Sequence, residues 1–376
     1  MLIRQSYRYE LKPNNKQRTR LARHAGTARF AYNWGLGRRI REYRESGRSS
    51  NAMEQHRQLN ALKRTTLDWM YKVSKCAPQE ALRDLDRAFR NFYRGRKQGR
   101  DIGFPRFKRK GIHDAFRLTG SIGVHRKSVT LPRIGPMRTK EQTAVKGRVL
   151  SATLTREADR WFVSFTVERE RLRGLPGPDP AVGVDVGLLS FAVTSEGTRI
   201  QSPRPLEKAL KALKRKSRRH SRKRKGSANR KKSALSLARL HRKIRNRRRD
   251  FLHKVTTQLA KTKQAIVVED LHVKGMIRNR RLSRSIADSG WGEFFRMLVY
   301  KTAWYGSTLL KAPAFYPSSK RCSVCGWKKE TLALSERCFR CEGCGIRLDR
   351  DLNAAMNLEL HISREVKPVK TPLAAE

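Results

Sequence analysis

A repeated cysteine motif near the end of the chain constrains the fold more than any other sequence feature. The pattern Cys-x-x-Cys-Gly occurs twice, with fifteen residues between the pairs, and its cysteines are Cys322, Cys325, Cys341 and Cys344. Four thiolates at this spacing predict a zinc ribbon, in which each glycine allows a tight knuckle. Cys338 is an alternative ligand because two residues separate it from Cys341, as in each knuckle, but the glycines favour Cys341 and Cys344. Four protein ligands leave no open position, so the zinc is expected to be structural.

The charge of the chain indicates a polyanionic partner. The 376 residues include 87 Lys or Arg against 32 Asp or Glu, a formal net charge of +55. Such a charge repels itself unless a polyanion neutralises it, and binding to nucleic acid gains affinity from released counterions. No apolar run is long enough to span a bilayer, and the first residues lack the apolar stretch of a secretory signal. We therefore expect a cytoplasmic, nucleic-acid-binding protein with no membrane partner.

The first half of the chain combines strand and helix patterns. Residues 3–13 alternate as a strand does, and helical spacing of apolar side chains then continues to about Tyr93. Short strands separated by turn residues are predicted at 116–118, 128–131, 150–154 and 161–167. This order predicts a small β-barrel interrupted by a helical insertion. The Pro- and Gly-rich segment 171–180 predicts a linker.

The second half predicts a domain of strands and helices with a basic segment inside it. Residues 181–200 favour consecutive strands, and 264–271 favour a buried strand that precedes a helix at 291–305. Between these lies a segment, from Lys211 to Arg249, with 20 Lys or Arg and no acid.

The basic segment is predicted to bind nucleic acid. Apolar side chains keep helical spacing in its second part, which predicts an amphipathic helix. Residues 214–232 have few apolar side chains and are expected to be mobile in the free protein. The densest part supplies the predicted contacts, which are Lys214, Arg215, Lys216, Arg218, Arg219, Arg222, Lys223, Arg224 and Lys225. The alternative is a solvated helical face that only keeps the protein soluble.

Three acids occupy positions that favour a metal site. Asp185 lies inside an apolar strand, and Glu269 directly follows another, on the opposite face from Asp270. A carboxylate in a buried strand is costly unless something pairs with it. Asp351 begins a predicted helix, where the helix N-terminus favours a carboxylate. Each acid alone is equally well explained as a strand-end charge or a helix cap. Together they predict a site that holds Mg²⁺ or Mn²⁺ and cleaves a phosphodiester.

The motifs in this order resemble the TnpB family, whose members are encoded by bacterial insertion sequences and are related to the type V CRISPR effectors. The resemblance rests on VGVDVGLLSFAVTSEG, VVEDLHVKGM, the cysteine knuckles and LDRDLNAAMN, and it covers nearly the whole chain. It implies that Asp185, Glu269 and Asp351 are the catalytic acids of a split RuvC site, with Asp349 as a weaker alternative to Asp351. The extra Cys338 and the dense basic segment are departures from the family pattern.

The resemblance also implies an α+β multidomain architecture. The implied domains are a wedge β-barrel over 1–172 with a helical recognition insertion at about 14–98, a RuvC-like, RNase H-like domain over 173–319 with a basic helical bridge at 204–262, a zinc ribbon over 320–346, the last RuvC motif over 347–362, and a disordered tail over 363–376.

The implied activity is RNA-guided cleavage of DNA by an endonuclease. Its partners would be a guide RNA derived from the transposon end and double-stranded target DNA beside a short flanking motif, bound by a single copy of the chain near the bacterial nucleoid. An RNase H-like transposase that acts without guide RNA is the alternative, because it would use the same acids. A zinc-ribbon DNA-binding regulator is a third possibility, which the intact set of acids disfavours.

Overall fold

The chain forms two compact units, and the boundary between them follows Glu170. The computed structural model describes residues 1–172, 174–333 and 335–360. The N-terminal unit is Leu2–Glu170, and the C-terminal unit is Met1 together with the chain from Arg171 onward. The predicted disordered tail, 363–376, lies outside the described residues.

The N-terminal unit contains two antiparallel sheets. Its strands are β1 (Leu2–Leu11), β2 (Ala115–Leu118), β3 (Gly123–His125), β4 (Ser128–Leu131), β5 (Gly135–Arg138), β6 (Arg148–Glu157) and β7 (Arg160–Glu170). The larger sheet has the order β1-β7-β6-β2, and the smaller has the order β3-β4-β5. A bridge between Leu11 and Thr139 joins them. The predicted strands lie in β1, β2, β4, β6 and β7, whereas the short β3 and β5 were not predicted.

Helices fill the connection between β1 and β2, as the sequence predicts. They are α1 (Asn15–Ser46), α2 (Ala52–Lys63) and α3 (Cys76–Lys97), with a 3₁₀ turn at Asp68–Lys72. Asn14 begins α1 with a capping box, in which its side chain and that of Gln17 exchange hydrogen bonds with each other's backbone. Leu21 and Leu36 of α1 are fully buried in one core with Phe165 of β7.

The C-terminal unit is built on one mixed sheet. Its strands are β8 (Val182–Val186), β9 (Ala192–Thr194), β10 (Arg199–Ile200), β11 (Ala265–Glu269) and β12 (Thr308–Ala312), in the order β10-β9-β8-β11-β12. β8, β11 and β12 are parallel, and β9 and β10 are antiparallel to their neighbours. The strands predicted within 181–200 and 264–271 are confirmed.

Two helices between β10 and β11 form a basic hairpin, α4 (Pro205–Ser221) and α5 (Ala228–Thr262). The stretch 214–232, which we expected to be mobile in the free protein, contains helix on both sides of a short turn in this structure. Hydrogen bonds support this helical order. Lys216 donates to Ser236, and His220 bonds Ser233. Arg230 donates to the carbonyl oxygens of His220, near the end of α4, and of Lys223 in the turn.

The remaining elements complete the C-terminal unit. They are α6 (Val273–Met276), α7 (Ser283–Ser289), α8 (Trp291–Tyr305), a hairpin of β13 (Cys338–Arg340) and β14 (Arg347–Asp349), and α9 (Arg350–Leu360). The helix predicted at 291–305 is confirmed as α8. Among the described residues, every helix is too short or too polar to cross a membrane.

Candidate functional site

The parallel pair β8 and β11 brings two of the predicted acids to the same end of the sheet. Val184 pairs with Val268, and the next residue along each strand is an acid, Asp185 and Glu269. Side chains at matching positions of parallel strands point to the same face, so both carboxylates share one face at the carboxyl ends of the strands. Asp270 is exposed and pairs instead with Lys311, at 2.7 Å between Nζ and Oδ1.

The helix α9 lies across that face and carries the third acid. A Cβ built on Gly183 would be 1.9 Å from the carbonyl oxygen of Ala355, so the backbone of α9 approaches β8 more closely than any side chain at position 183 would allow. Asp351 is one helical turn before Ala355 and therefore lies on the same side of α9. Its Oδ2 is 4.0 Å from the Cβ position of Gly187, at the end of β8.

Asp349, and not Asp351, caps this helix. The Oδ1 of Asp349 accepts hydrogen bonds from the backbone N–H groups of Asp351 and Leu352, at 3.1 and 3.0 Å. Its Oδ2 forms an ion pair with Arg199 at 2.7 Å. Burial alone would raise the pKa of Asp349, but Arg199 and the backbone N–H groups hold it below its usual value. Because Asp349 does the capping, the simple explanation of Asp351 as a helix cap is wrong.

Glu269 and Asp351 both lie close enough to Asp185 to raise the pKa of its carboxyl group. Burial raises the pKa of Asp185 well above its usual value, and the negative charges of Glu269 and then Asp351 raise it further. Burial also raises the pKa of Glu269, although a hydrogen bond from the Ser318 hydroxyl opposes this. Arg350 offsets part of the negative charge, with its Nε 3.4 Å from Oδ1 of Asp351.

The donor type suits a hard divalent cation, although among the described residues only the four cysteines, and not these three acids, have ligand atoms that all lie within 4.8 Å of one another. Carboxylate oxygens are the ligands that Mg²⁺ and Mn²⁺ prefer, and a half-buried group of mutually repelling carboxylates gains most from a bound cation. Asp185, Glu269 and Asp351 are the described residues that could hold it, since Asp270 faces away and Asp349 is engaged by Arg199 and the helix.

Supporting residues around the acids were not singled out from the sequence. Ser318 is buried and donates its hydroxyl to Oε1 of Glu269. Asn357 of α9 is buried as well and donates to the carbonyl oxygens of Ser318 and Arg321, at 2.9 and 2.6 Å. Gly183 has no side chain, and this allows α9 to pack closely against β8. The glycine within an apolar strand is a signal that could have been used, but no periodicity identifies Ser318.

The four predicted cysteine ligands form one cluster. Their sulfur atoms all lie within 4.8 Å of one another, and those of Cys325 and Cys341 are 3.4 Å apart. A tetrahedral zinc with Zn–S bonds of about 2.3 Å places its sulfurs slightly less than 4 Å apart, so the group fits. Gly326 and Gly345 have left-handed φ angles of 79° and 74°, as the knuckle prediction requires.

The fifth nearby cysteine is separate from this cluster. The sulfur of Cys338, in β13, is 3.9 Å from the carbonyl oxygen of Phe339 and is exposed. Phe339 is fully buried between the knuckles and packs with Trp327 and Ile346.

The nine predicted nucleic-acid contacts lie together at the tip of the basic hairpin. Lys214, Arg215, Arg218 and Arg219 are exposed on the second half of α4, and Lys216 is half-buried against Ser236. The other four are exposed in the turn after α4, and they are Arg222, Lys223, Arg224 and Lys225. The base of the hairpin is anchored by Asp288, whose buried carboxylate accepts from the N–H groups of Leu206 and Glu207 at 3.0 Å.

Comparison with protein families gives three matches. A family model described as "Probable transposase" (OrfB_IS605) matches residues 164–280, which include Asp185 and Glu269. A model described as "Cas12f1-like, TNB domain" matches 291–358, which include the four clustered cysteines and Asp351. A "Helix-turn-helix domain" model (HTH_OrfB_IS605) matches residues 1–48.

Similar proteins extend over nearly the whole chain. A Streptomyces pristinaespiralis protein named "Putative RNA-guided DNA endonuclease" is 35% identical over 95% of this chain and 89% of its own length. The Escherichia coli K12 protein InsQ has the same description and is 35% identical over 94% of this chain and 91% of its own. A solved structure entitled "Cryo-EM structure of the Cas12f1-sgRNA-target DNA complex" shares the fold, with a TM-score of 0.56 at 17% identity, over 92% of this chain and 82% of that one.

Proposed function

This chain belongs to the TnpB family of insertion-sequence proteins, and we propose on that premise that it is an RNA-guided, metal-dependent DNA endonuclease. The observation that carries the proposal is the convergence of Asp185, Glu269 and Asp351 at one end of the sheet, close enough to raise the pKa of Asp185. In a protein of net charge +55, a cluster of carboxylates is best explained as a cation-binding site.

The division of labour within the site follows from its contacts. Asp185, Glu269 and Asp351 would hold Mg²⁺ or Mn²⁺, and Ser318 orients Glu269 by its hydrogen bond. A bound ion of this kind lowers the pKa of water and stabilises charge on a phosphate. Asp349 fixes the start of α9 and so positions Asp351. The four-cysteine cluster would hold one structural zinc.

The wider assignment uses both units. Of the N-terminal unit, we assign the two sheets to a wedge-type barrel and α1–α3 to its recognition insertion, supported by the Leu11–Thr139 bridge. The C-terminal sheet with α9 is assigned to a RuvC-like domain. The guide RNA would come from the transposon end, and the ribonucleoprotein would contain one copy of the chain and act on double-stranded DNA in the bacterial cytoplasm.

The acid assignment is tested by cleavage assays on the purified ribonucleoprotein. Asp185→Ala, Glu269→Ala and Asp351→Ala should each abolish cleavage while guide and target binding stay near wild type, because each removes a metal ligand and little binding surface. Asp270→Ala is the matched control and should cut normally. EDTA should stop the wild type, and Mg²⁺ or Mn²⁺ should restore it. Normal cutting by Asp351→Ala would contradict the assignment.

A transposase that joins DNA ends without RNA is the second candidate, favoured by the description of the family model that matches 164–280. Sequencing of RNA that copurifies with the chain separates the two. A single RNA species that extends from the transposon end supports the endonuclease. DNA-end joining by protein freed of RNA would support the transposase.

A further inference from the structure

A short segment of the N-terminal unit, residues 102–108, lies over α1 and α3 without being helix or strand itself. We call it the strap. Ile102 fixes one end, because its Cδ1 would be 2.2 Å from any Cβ at Gly95 of α3. Asn33 of α1 fixes the other end by exchanging two hydrogen bonds with the backbone of Lys108, at 2.8 and 2.9 Å. The strap is therefore held on both helices.

Aromatic rings on and beside the strap are exposed although they are firmly supported. Phe104 packs edge-on against Phe89 and Phe92, with ring centroids 5.5 Å apart, and is still 46% exposed. Phe107 lies over Gly37 and is 54% exposed, and Tyr93 stacks on Phe89 and is 53% exposed. Rings held this way can receive another flat group without first losing conformational freedom.

The charge around these rings is unneutralised. Between Phe89 and Lys110 there are nine Lys or Arg and one acid, Asp101. None of these nine cations forms an ion pair with a described residue. Acids elsewhere on α3 pair with other cations: Asp86 with Arg39 of α1, and Glu80 and Asp84 with Arg117 of β2. The surface thus offers ring faces together with cations that have no acid partner among the described residues, although Lys108 lies over the ring of Tyr32.

We propose that the strap and Tyr93 bind unpaired DNA, with bases stacked on Tyr93 and Phe107 and phosphates held by the neighbouring cations. Exposed aromatic rings among cations are the usual means of holding a single strand, since a duplex covers the faces of its bases. The choice of DNA rests on the proposed function. Pairing of a guide with one target strand leaves the other strand unpaired, whereas unpaired guide bases are consumed by that pairing.

The experiment uses the full chain with Asp185→Ala to prevent cutting. Dissociation constants are measured at high salt, which suppresses phosphate contacts elsewhere, for oligothymidine, oligouridine and duplex DNA of one length. The double variant Tyr93→Leu and Phe107→Leu should bind oligothymidine about tenfold more weakly, and Tyr93→Phe with Phe107→Tyr should bind normally because the rings remain. Tyr43→Leu, which changes an even more exposed tyrosine of α1, is the control and should have no effect.

A second readout locates the contact directly. A single strand that carries 5-iododeoxyuridine should photocrosslink to Tyr93 or Phe107, identified by mass spectrometry. Equal affinities for the leucine and ring-retaining variants, an equal loss on duplex DNA, or a larger loss on oligouridine would each overturn the proposal. If these results hold while the wild type with its guide never cuts DNA, the proposed function fails and the strap surface stands. If the wild type with its guide cuts DNA normally but the leucine variant binds oligothymidine as the wild type does, the proposed function stands and the strap proposal fails.

Discussion

Asp185 bears the greatest electrostatic cost in the acid cluster. Its raised pKa means that the folded protein without metal keeps this proton to a higher pH than the unfolded chain does. The folded state therefore binds more protons between the ordinary and the raised pKa, and its free energy of unfolding falls as the pH rises through that interval. At neutral pH the metal-free protein carries this penalty, and a bound cation removes it.

The change Asp185→Asn should thus stabilise the metal-free protein at neutral pH and weaken the response of stability to Mg²⁺. Each kcal/mol relieved raises the Tm by about 2–4 °C in a unit of this size. Thermal unfolding in EDTA and in Mg²⁺ measures both effects. Asp270→Asn, whose partner is Lys311 outside the cluster, is the control and should change neither. A lower Tm for Asp185→Asn in EDTA would contradict the argument.

The residues of the cluster also show how far sequence patterns reach. Asp185 and Glu269 could be proposed because a carboxylate in an apolar strand is unusual. The roles of Asp349 and Asp351 could not be separated in that way, since either suits a helix N-terminus and only the hydrogen bonds of Asp349 distinguish them. Ser318 belongs to no periodic pattern, because its role depends on a contact with a strand 49 residues away.

At the scale of elements, long regular segments were the most predictable. α8 has the predicted bounds because its apolar side chains recur clearly at helical spacing. The cysteine knuckles could be predicted because four cysteines at this spacing are typical of a zinc site. The basic hairpin was predicted less well. Few apolar residues in 214–232 suggested mobility, but polar contacts between α4 and α5 hold this stretch, and such contacts leave no hydrophobic periodicity.

The tip of the hairpin should contribute phosphate contacts to guide-RNA binding. Changing Arg218, Arg219, Arg222, Lys223 and Arg224 together to Gln removes up to five contacts, so the slope of log affinity against log salt should flatten by several units. All five side chains are exposed, so folding should persist. The matched control removes five exposed charges near α6 and α7, at Lys274, Arg278, Arg280, Arg281 and Arg284. An unchanged slope in the first variant, or the same slope in both, would place the guide elsewhere.

The cysteine cluster should hold one zinc per chain and stabilise the knuckles. Cys322→Ser or Cys341→Ser should lose this zinc and destabilise the C-terminal region, because structural zinc contributes folding free energy directly. Metal analysis and thermal unfolding measure the two effects. Cys338→Ser is the control and should keep the zinc, since its sulfur lies outside the cluster. Loss of zinc from Cys338→Ser with retention in Cys341→Ser would overturn the ligand set.

At the scale of the whole chain, the sequence predicted many of the strands, although not β3, β5 or β12–β14, and it did not predict how the sheets are arranged. The order β10-β9-β8-β11-β12 places β8 beside a strand about 80 residues later, and no local pattern specifies that neighbour. The pairing is what brings Asp185 and Glu269 together. Net charge, in contrast, is read directly from the sequence, and its consequence for stability applies to the chain as a whole.

Salt should therefore have opposite effects on the free protein and on its complex. In the free protein, a formal charge of +55 repels itself, and salt screens that repulsion, so the Tm should rise with salt. In the complex, bound RNA already neutralises much of the charge and stabilises the folded chain by mass action. Added salt weakens RNA binding, so the Tm of the complex should fall toward that of the free protein. Parallel melting curves over a salt series test this, with a short neutral peptide nucleic acid as the control for the RNA. A Tm of the free protein that does not rise with salt would show that charge repulsion does not limit its stability, and a Tm of the complex that rises with salt would contradict the stabilisation by bound RNA.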